Sequence, residues 1–159
     1  MADQTTTVPI TRLSANYKPW THISRIQASD INTSTWTNAG DTVSVEHTNL
    51  DLPNHFVVTK VLPYVKTAFA GSGTLTVQVG TDGDPNNYVT DISVTTAGPK
   101  VTQAGMVPAT LVGSFGTSGD DLMARFTTEA ASGAPSHITA GDLRILWEIV
   151  DVDKITGGY

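Results

Sequence analysis

Apolar and polar residues alternate along much of this chain, and the clearest alternation lies between residues 73 and 94. Leu75, Val77 and Val79 interleave with Thr74, Thr76 and Gln78, the period-2 pattern of a half-buried strand. Residues 80 to 84 break the strand, and Asp84-Pro85 reads as an N-cap followed by proline at the first helical position. Ile92 and Val94 then resume the alternation. The span predicts strand, one short helical turn, strand, with no catalytic group in it.

The same pattern divides the chain into residues 1–40 and 41–159. In the first part Ile10, Leu13, Trp20, Ile23, Ile26, Ile31 and Trp36 are spaced too irregularly for a helix or strand. A free tail seldom carries two tryptophans, so this region is expected to be an extended N-terminal arm packed on its own domain or on a neighbour. Such an arm predicts that removing residues 1–36 leaves a folded domain. From residue 41 strands follow one another: 42–46, 55–69, 73–80, 92–96, a broken segment at 100–112 containing Gly105 and Pro108, 122–127 and 142–152. Pro63 cannot donate to a ladder, so its strand is expected at an edge or bent there. The last strand carries Leu143, Ile145, Trp147 and Ile149 on one face and Leu146 and Val150 on the other, which suits the middle of a sheet. About seven or eight short strands separated by Gly/Pro turns predict an all-β fold, a β-sandwich of jelly-roll type.

Composition narrows the class. At 159 residues a single domain can bury a core without disulfides, and the chain has no cysteine for thiolate catalysis or thiolate metal sites. No apolar run nears the roughly 18 residues of a membrane span. Residues 1–5 lack the basic start and apolar core of a signal peptide, so synthesis in the cytoplasm as a soluble chain is expected. The nine Lys and Arg are scattered singly in a chain of net charge −6, which disfavours nucleic-acid binding. Only 15% of residues are charged while threonines number 25. A Thr-covered β surface with few charges is easily buried against other subunits, because little charge has to be desolvated.

The candidate chemistry is sparse. His22, His47, His55 and His137 show none of the tight spacing of zinc sites, although His47 and His55 bracket Asn49, Asp51 and Asn54. Asp82, Asp84 and Asn86 imitate the start of a calcium loop, but Asn87 and Ser93 stand where glycine and glutamate are required. Capping by Asp84 is the better account. Residues 113–117 fall short of a nucleophile elbow, and Glu46, Glu129 and Glu148 are the carboxylates a glycosidase would use. With no phosphate loop or dinucleotide fingerprint either, the residues favour a role other than catalysis and imply no cofactor. Tyr17, Trp20, Trp36, Tyr64 and Tyr88 are aromatics that could stack on sugars, each also suited to a core or an interface. Within the arm, Tyr17, Trp20 and Trp36 are the candidate partner-binding residues.

Gly73-Thr74-Leu75-Thr76-Val77, then Val79-Gly80-Thr81-Asp82-Gly83-Asp84-Pro85, then Ala140-Gly141-Asp142-Leu143-Arg144-Ile145 with Trp147, resembles a group of small virion proteins of tailed bacteriophages. The likeness spans about residues 55–152. It implies a capsid decoration or cement protein at the capsid surface, a homotrimer that clamps the major capsid protein and stabilises the head. Tail or neck subunits and glycan-binding modules of receptor-binding virion proteins are the competing readings.

Overall fold

The computed structural model describes residues 3–17, 19–32, 40–48, 56–71, 74–100, 115–116, 122–128, 138–151 and 154. Among them ten strands form one curled, mixed sheet: β1 (Asp3–Arg12), β2 (His22–Gln27), β3 (Thr42–Thr48), β4 (Phe56–Ala70), β5 (Leu75–Thr81), β6 (Val89–Ser93), β7 (Gly98–Pro99), β8 (Phe115–Gly116), β9 (Leu122–Thr128) and β10 (Ala140–Asp151). Their order is β6-β5-β9-β3-β1-β2-β10-β4-β7, with β8 also on β4. The all-β expectation holds. One described pair is parallel, β1 with β3, and the rest are antiparallel.

Residues 3–9 of β1 pair with β3, and residues 10–12 pair with β2. The strand thus passes from one half of the sheet to the other, and the sheet folds over on itself there. On the opposite side the Phe69 N–H donates to the Val94 carbonyl at 3.0 Å, and the chain continues from β6 into β7 on β4. The two inner faces meet across a shared core. Phe69 on β4 lies 5.5 Å from Phe126 on β9, and His47 on β3 lies 5.5 Å from Trp147 on β10. The core cluster draws Val43, Val77 and Phe126 from one half and Val65, Ile145 and Trp147 from the other. Each fully buried aliphatic or aromatic side chain contributes roughly 1.5–3 kcal/mol.

Three expectations need revision. The arm over residues 1–40 is not one: β1 lies between β3 and β2 in the sheet order, paired to β3 over residues 3–9 and to β2 over residues 10–12, and β2 is paired to both β1 and β10. Their alternation is concealed in the sequence because the inward positions of β2 are His22, Ser24 and Ile26, two of them polar. The helical turn at Pro85 is a pair of tight turns instead. Thr81 and Asp84 exchange N–H···O bonds of 3.0 and 3.1 Å around Asp82-Gly83, and the Asn87 N–H donates to the Asp84 carbonyl at 3.2 Å. Asp84 therefore works through its backbone, and its side chain is exposed. Short helices occur elsewhere, as a 3₁₀ turn at Ala15–Tyr17 and as α1 (Ala28–Ile31), which buries Ile31. Finally, the strand expected from residue 92 begins at Val89. Residues 101–112 of the broken segment lie outside the described residues.

Other local expectations are met. β10 runs between β2 and β4, as its two apolar faces require. The Pro63 carbonyl accepts from the Lys100 N–H at 3.0 Å. Because N–H and C=O of one residue point the same way in an antiparallel ladder, the donor that proline lacks faces the side where only two-residue strands pair.

Deleting residues 1–36 is expected to abolish folding, since β3 and β10 would lose their common neighbours; loss of the β-sheet circular dichroism signal checks this. At Gly80 a Cβ would run into the Asp84 carbonyl and the Pro85 backbone, neither of which can yield as a flexible side chain would. Gly80→Ala is expected to destabilise the fold by about 1–3 kcal/mol in urea unfolding.

Candidate functional site

The two outer faces of the curled sheet differ in chemistry. On the half containing β3, β9 and β5, Thr42, Thr127 and Thr76 stand side by side with Ser93 of β6, and Ser44, Arg125 and Gln78 form the next row. On the other half, register places Ile23, Leu146 and Leu62 side by side across β2, β10 and β4. All three are half-buried. The adjacent row is Arg25, Arg144 and Tyr64. An aliphatic stripe bordered by arginines and a tyrosine has the composition of an interface core.

Charges surround the stripe. The Arg25 Nη2 donates to Asp142 Oδ2 at 2.7 Å, and its Nε lies 3.1 Å from both carboxylate oxygens. Hydrogen bonding from Arg25 holds the Asp142 carboxyl below the usual carboxylate range, although burial opposes it, and the same bond raises Arg25. Arg144 is different: its Nε sits 3.8 Å from Asp142 Oδ1, beyond hydrogen-bond reach, and has no hydrogen-bond partner. At the other end Glu148 accepts from Thr59 Oγ1 at 2.6 Å and from Lys60 Nζ at 2.9 Å. Burial pushes the Glu148 carboxyl up, but the bonds from Thr59 and Lys60 prevail and hold it down. With exposed Lys66 beside Asp142 and Asp30 acting on Arg25, the described residues of this face place Arg25, Lys60, Lys66 and Arg144 together in a chain of net charge −6.

Of the residues singled out for partner binding, Tyr17 and Trp20 lie in the connection between β1 and β2. Tyr17 is 62% exposed at the tip of the β1–β2 connection, and the half-buried Trp20 donates its N–H to the Tyr17 carbonyl at 3.0 Å. Trp36 lies outside the described residues, as do His55, His137 and Glu129. Tyr88, a candidate for sugar stacking, is buried against Trp147, whereas Tyr64 is 38% exposed. Glu46 and Glu148 lie on opposite halves of the sheet, and Glu148 is engaged by Thr59 and Lys60. Among the described residues no three His, Asp or Glu side chains are placed to share a metal ion.

His47 is a core residue. It is fully buried, its Nε2 lies 3.4 Å from Ser24 Oγ, and its Nδ1 has no partner. Ser24 Oγ in turn accepts from Trp147 Nε1 at 3.1 Å, so one hydroxyl joins the two halves inside the core. Burial pushes the His47 pKa down to about 3, and the ring is neutral in the folded protein. Nothing in the sequence pattern marked His47 as a core residue, and Arg25, Arg144, Ile23 and Leu62 were passed over as binding residues. The visible signal was the second apolar face of β10, Leu146 and Val150, which implies something to cover it.

The unfolded chain protonates His47 near the ordinary pH of 6.5 while the folded chain resists until about 3. Stability is therefore complete above pH 6.5 and falls with acidification, by at most about 1.4 kcal/mol per pH unit from this group. Urea titrations between pH 4.5 and 7 are expected to show a smaller slope for His47→Gln than for the parent chain; equal slopes would exclude His47 as the source.

Comparison with protein-family models, with curated protein sequences and with solved structures finds no match to this chain.

Proposed function

We propose that this protein is a structural subunit of a tailed-phage virion, a capsid decoration or cement protein that binds the lattice of major capsid proteins and stabilises the head. The observation that carries the reading is the broad outer face of β2, β10 and β4, where Ile23, Leu146 and Leu62 are flanked by Arg25, Arg144 and Lys60. A decoration subunit needs such a surface on a stiff body, to bury against its own copies in the oligomer or against the lattice. Its binding energy is spread over contacts repeated at every site, and linking several weak contacts in one oligomer multiplies the effective affinity. The resemblance at residues 73–85 and 140–147 supports the same assignment. So does the engagement of Glu148, one of the carboxylates a glycosidase would use, by Thr59 and Lys60. We read the curled sheet as a sandwich of jelly-roll type, supported by the facing of its halves through Trp147 and Phe126, and the working assembly as a homotrimer.

Tyr17, 62% exposed at a loop tip, favours glycan binding as the second reading, since an aromatic in that setting can stack on a sugar ring. Immunogold labelling of virions separates the alternatives. Hundreds of copies over the shell are expected for decoration. A handful at one vertex assigns the protein to the neck or tail, and absence from particles overturns the virion reading. Unchanged sugar-array binding in Tyr17→Ala would remove the glycan reading.

A further inference from the structure

The charge of this chain is unevenly placed, and the two unlike surfaces match each other. No Lys or Arg occurs between Lys66 and Lys100, and this stretch holds Asp82, Asp84 and Asp91, all exposed. Asp91 on β6 accepts from Gln78 Nε2 at 3.0 Å, and among the described residues no cation is ion-paired with the tip carboxylates of Asp82 and Asp84. The β5–β6 hairpin is thus purely acidic and forms one end of the sheet order, with β6 as its terminal strand. The aliphatic face of β2, β10 and β4 is the cationic surface of the same molecule. On it Arg144 has no hydrogen-bonded carboxylate, and the half-exposed Tyr64 lies next to it in the same row.

We propose that the outer face of β2, β10 and β4 is a self-association surface that receives the acidic β5–β6 hairpin of a second copy of this chain. Asp82 or Asp84 of the incoming copy adds a second carboxylate to Arg144, whose own ion pair with Asp142 is long at 3.8 Å, Lys66 neutralises the other, and the aliphatic row with Tyr64 closes against the hairpin's flank. Such a contact joins two different patches, so it is heterologous. Each open assembly keeps one free hairpin and one free face, so it closes as a ring if the rotation permits and otherwise grows as a filament. Opposite charge both speeds the encounter and rejects the wrong docking of hairpin on hairpin or face on face. The inference goes beyond the virion reading and stands without it, since labelling on particles and self-association in solution are read separately.

The test is sedimentation velocity of the full chain from about 1 to 100 μM, at low salt and at high salt. Concentration-dependent association that weakens with salt is expected. Arg144→Glu, and separately the double variant Asp82→Lys/Asp84→Lys, should each raise the apparent dissociation constant by about tenfold or more. The triple variant Arg144→Glu/Asp82→Lys/Asp84→Lys restores opposite charge across the same contact and should regain most of the association. Circular dichroism confirms the fold of each variant, and Lys66→Glu replaces Arg144→Glu if the latter unfolds. A chain that stays monomeric throughout overturns the proposal. Association that ignores the hairpin charges but is lost with Arg144→Glu overturns the hairpin as occupant and assigns the face to another surface. Failure of the triple variant to recover overturns the pairing itself.

Discussion

The structure depends on β1 pairing with two partners. Every backbone N–H and C=O in a sheet interior needs a partner, and a strand that satisfies β3 along one stretch and β2 along the next forces the sheet to turn between them. Once the sheet turns, Trp147 on β10 and His47 on β3 face each other, and the core has two walls. The parallel β1–β3 pair follows from the same geometry, because β3 begins only after β2 and α1 have carried the chain across. A strand at the extreme N-terminus therefore organises strands from every later part of the chain.

Inside the fold, polarity is spent at one point. Ser24, His47 and Trp147 form a buried hydrogen-bonded chain, and its members come from β2, β3 and β10. An apolar set of the same shape packs without any hydrogen bond, whereas the hydroxyl–indole bond favours one mutual placement of β2 and β10, as buried polar groups do when they are satisfied. The unpartnered Nδ1 of His47 is the cost of that arrangement, and it ties stability to pH. On the outside the distribution is reversed: one face is threonine and serine, the other aliphatic and cationic. That asymmetry, more than any single residue, gives the molecule a direction in which to bind.

Much of the fold was legible from alternation alone. β4, β5, β9 and β10 were visible because their inward residues are Val, Leu, Ile, Phe and Trp, and β10 announced its central place by being apolar on both faces. β1 and β2 were hidden, because β2 turns His22 and Ser24 inward and four of the ten residues of β1 are threonine. Of the candidate site, the exposure of Tyr17 fits an aromatic at a loop tip, while the stripe of Ile23, Leu62 and Leu146 could not be seen. Its members are separated by dozens of residues and become neighbours only through register.

What the sequence determined by itself is the class of structure and the chemistry available to it: strands rather than helices, a threonine surface, an acidic chain with an uncharged-to-acidic stretch between Lys66 and Lys100. These properties follow from residue type and local spacing, which act over a few residues at a time. Tertiary structure decided that the first forty residues contain interior strands, that His47 is core, and that four scattered cations gather on one face. Those outcomes depend on which strand pairs with which and in what register, and shifting a strand by one residue would turn every one of its side chains to the opposite face.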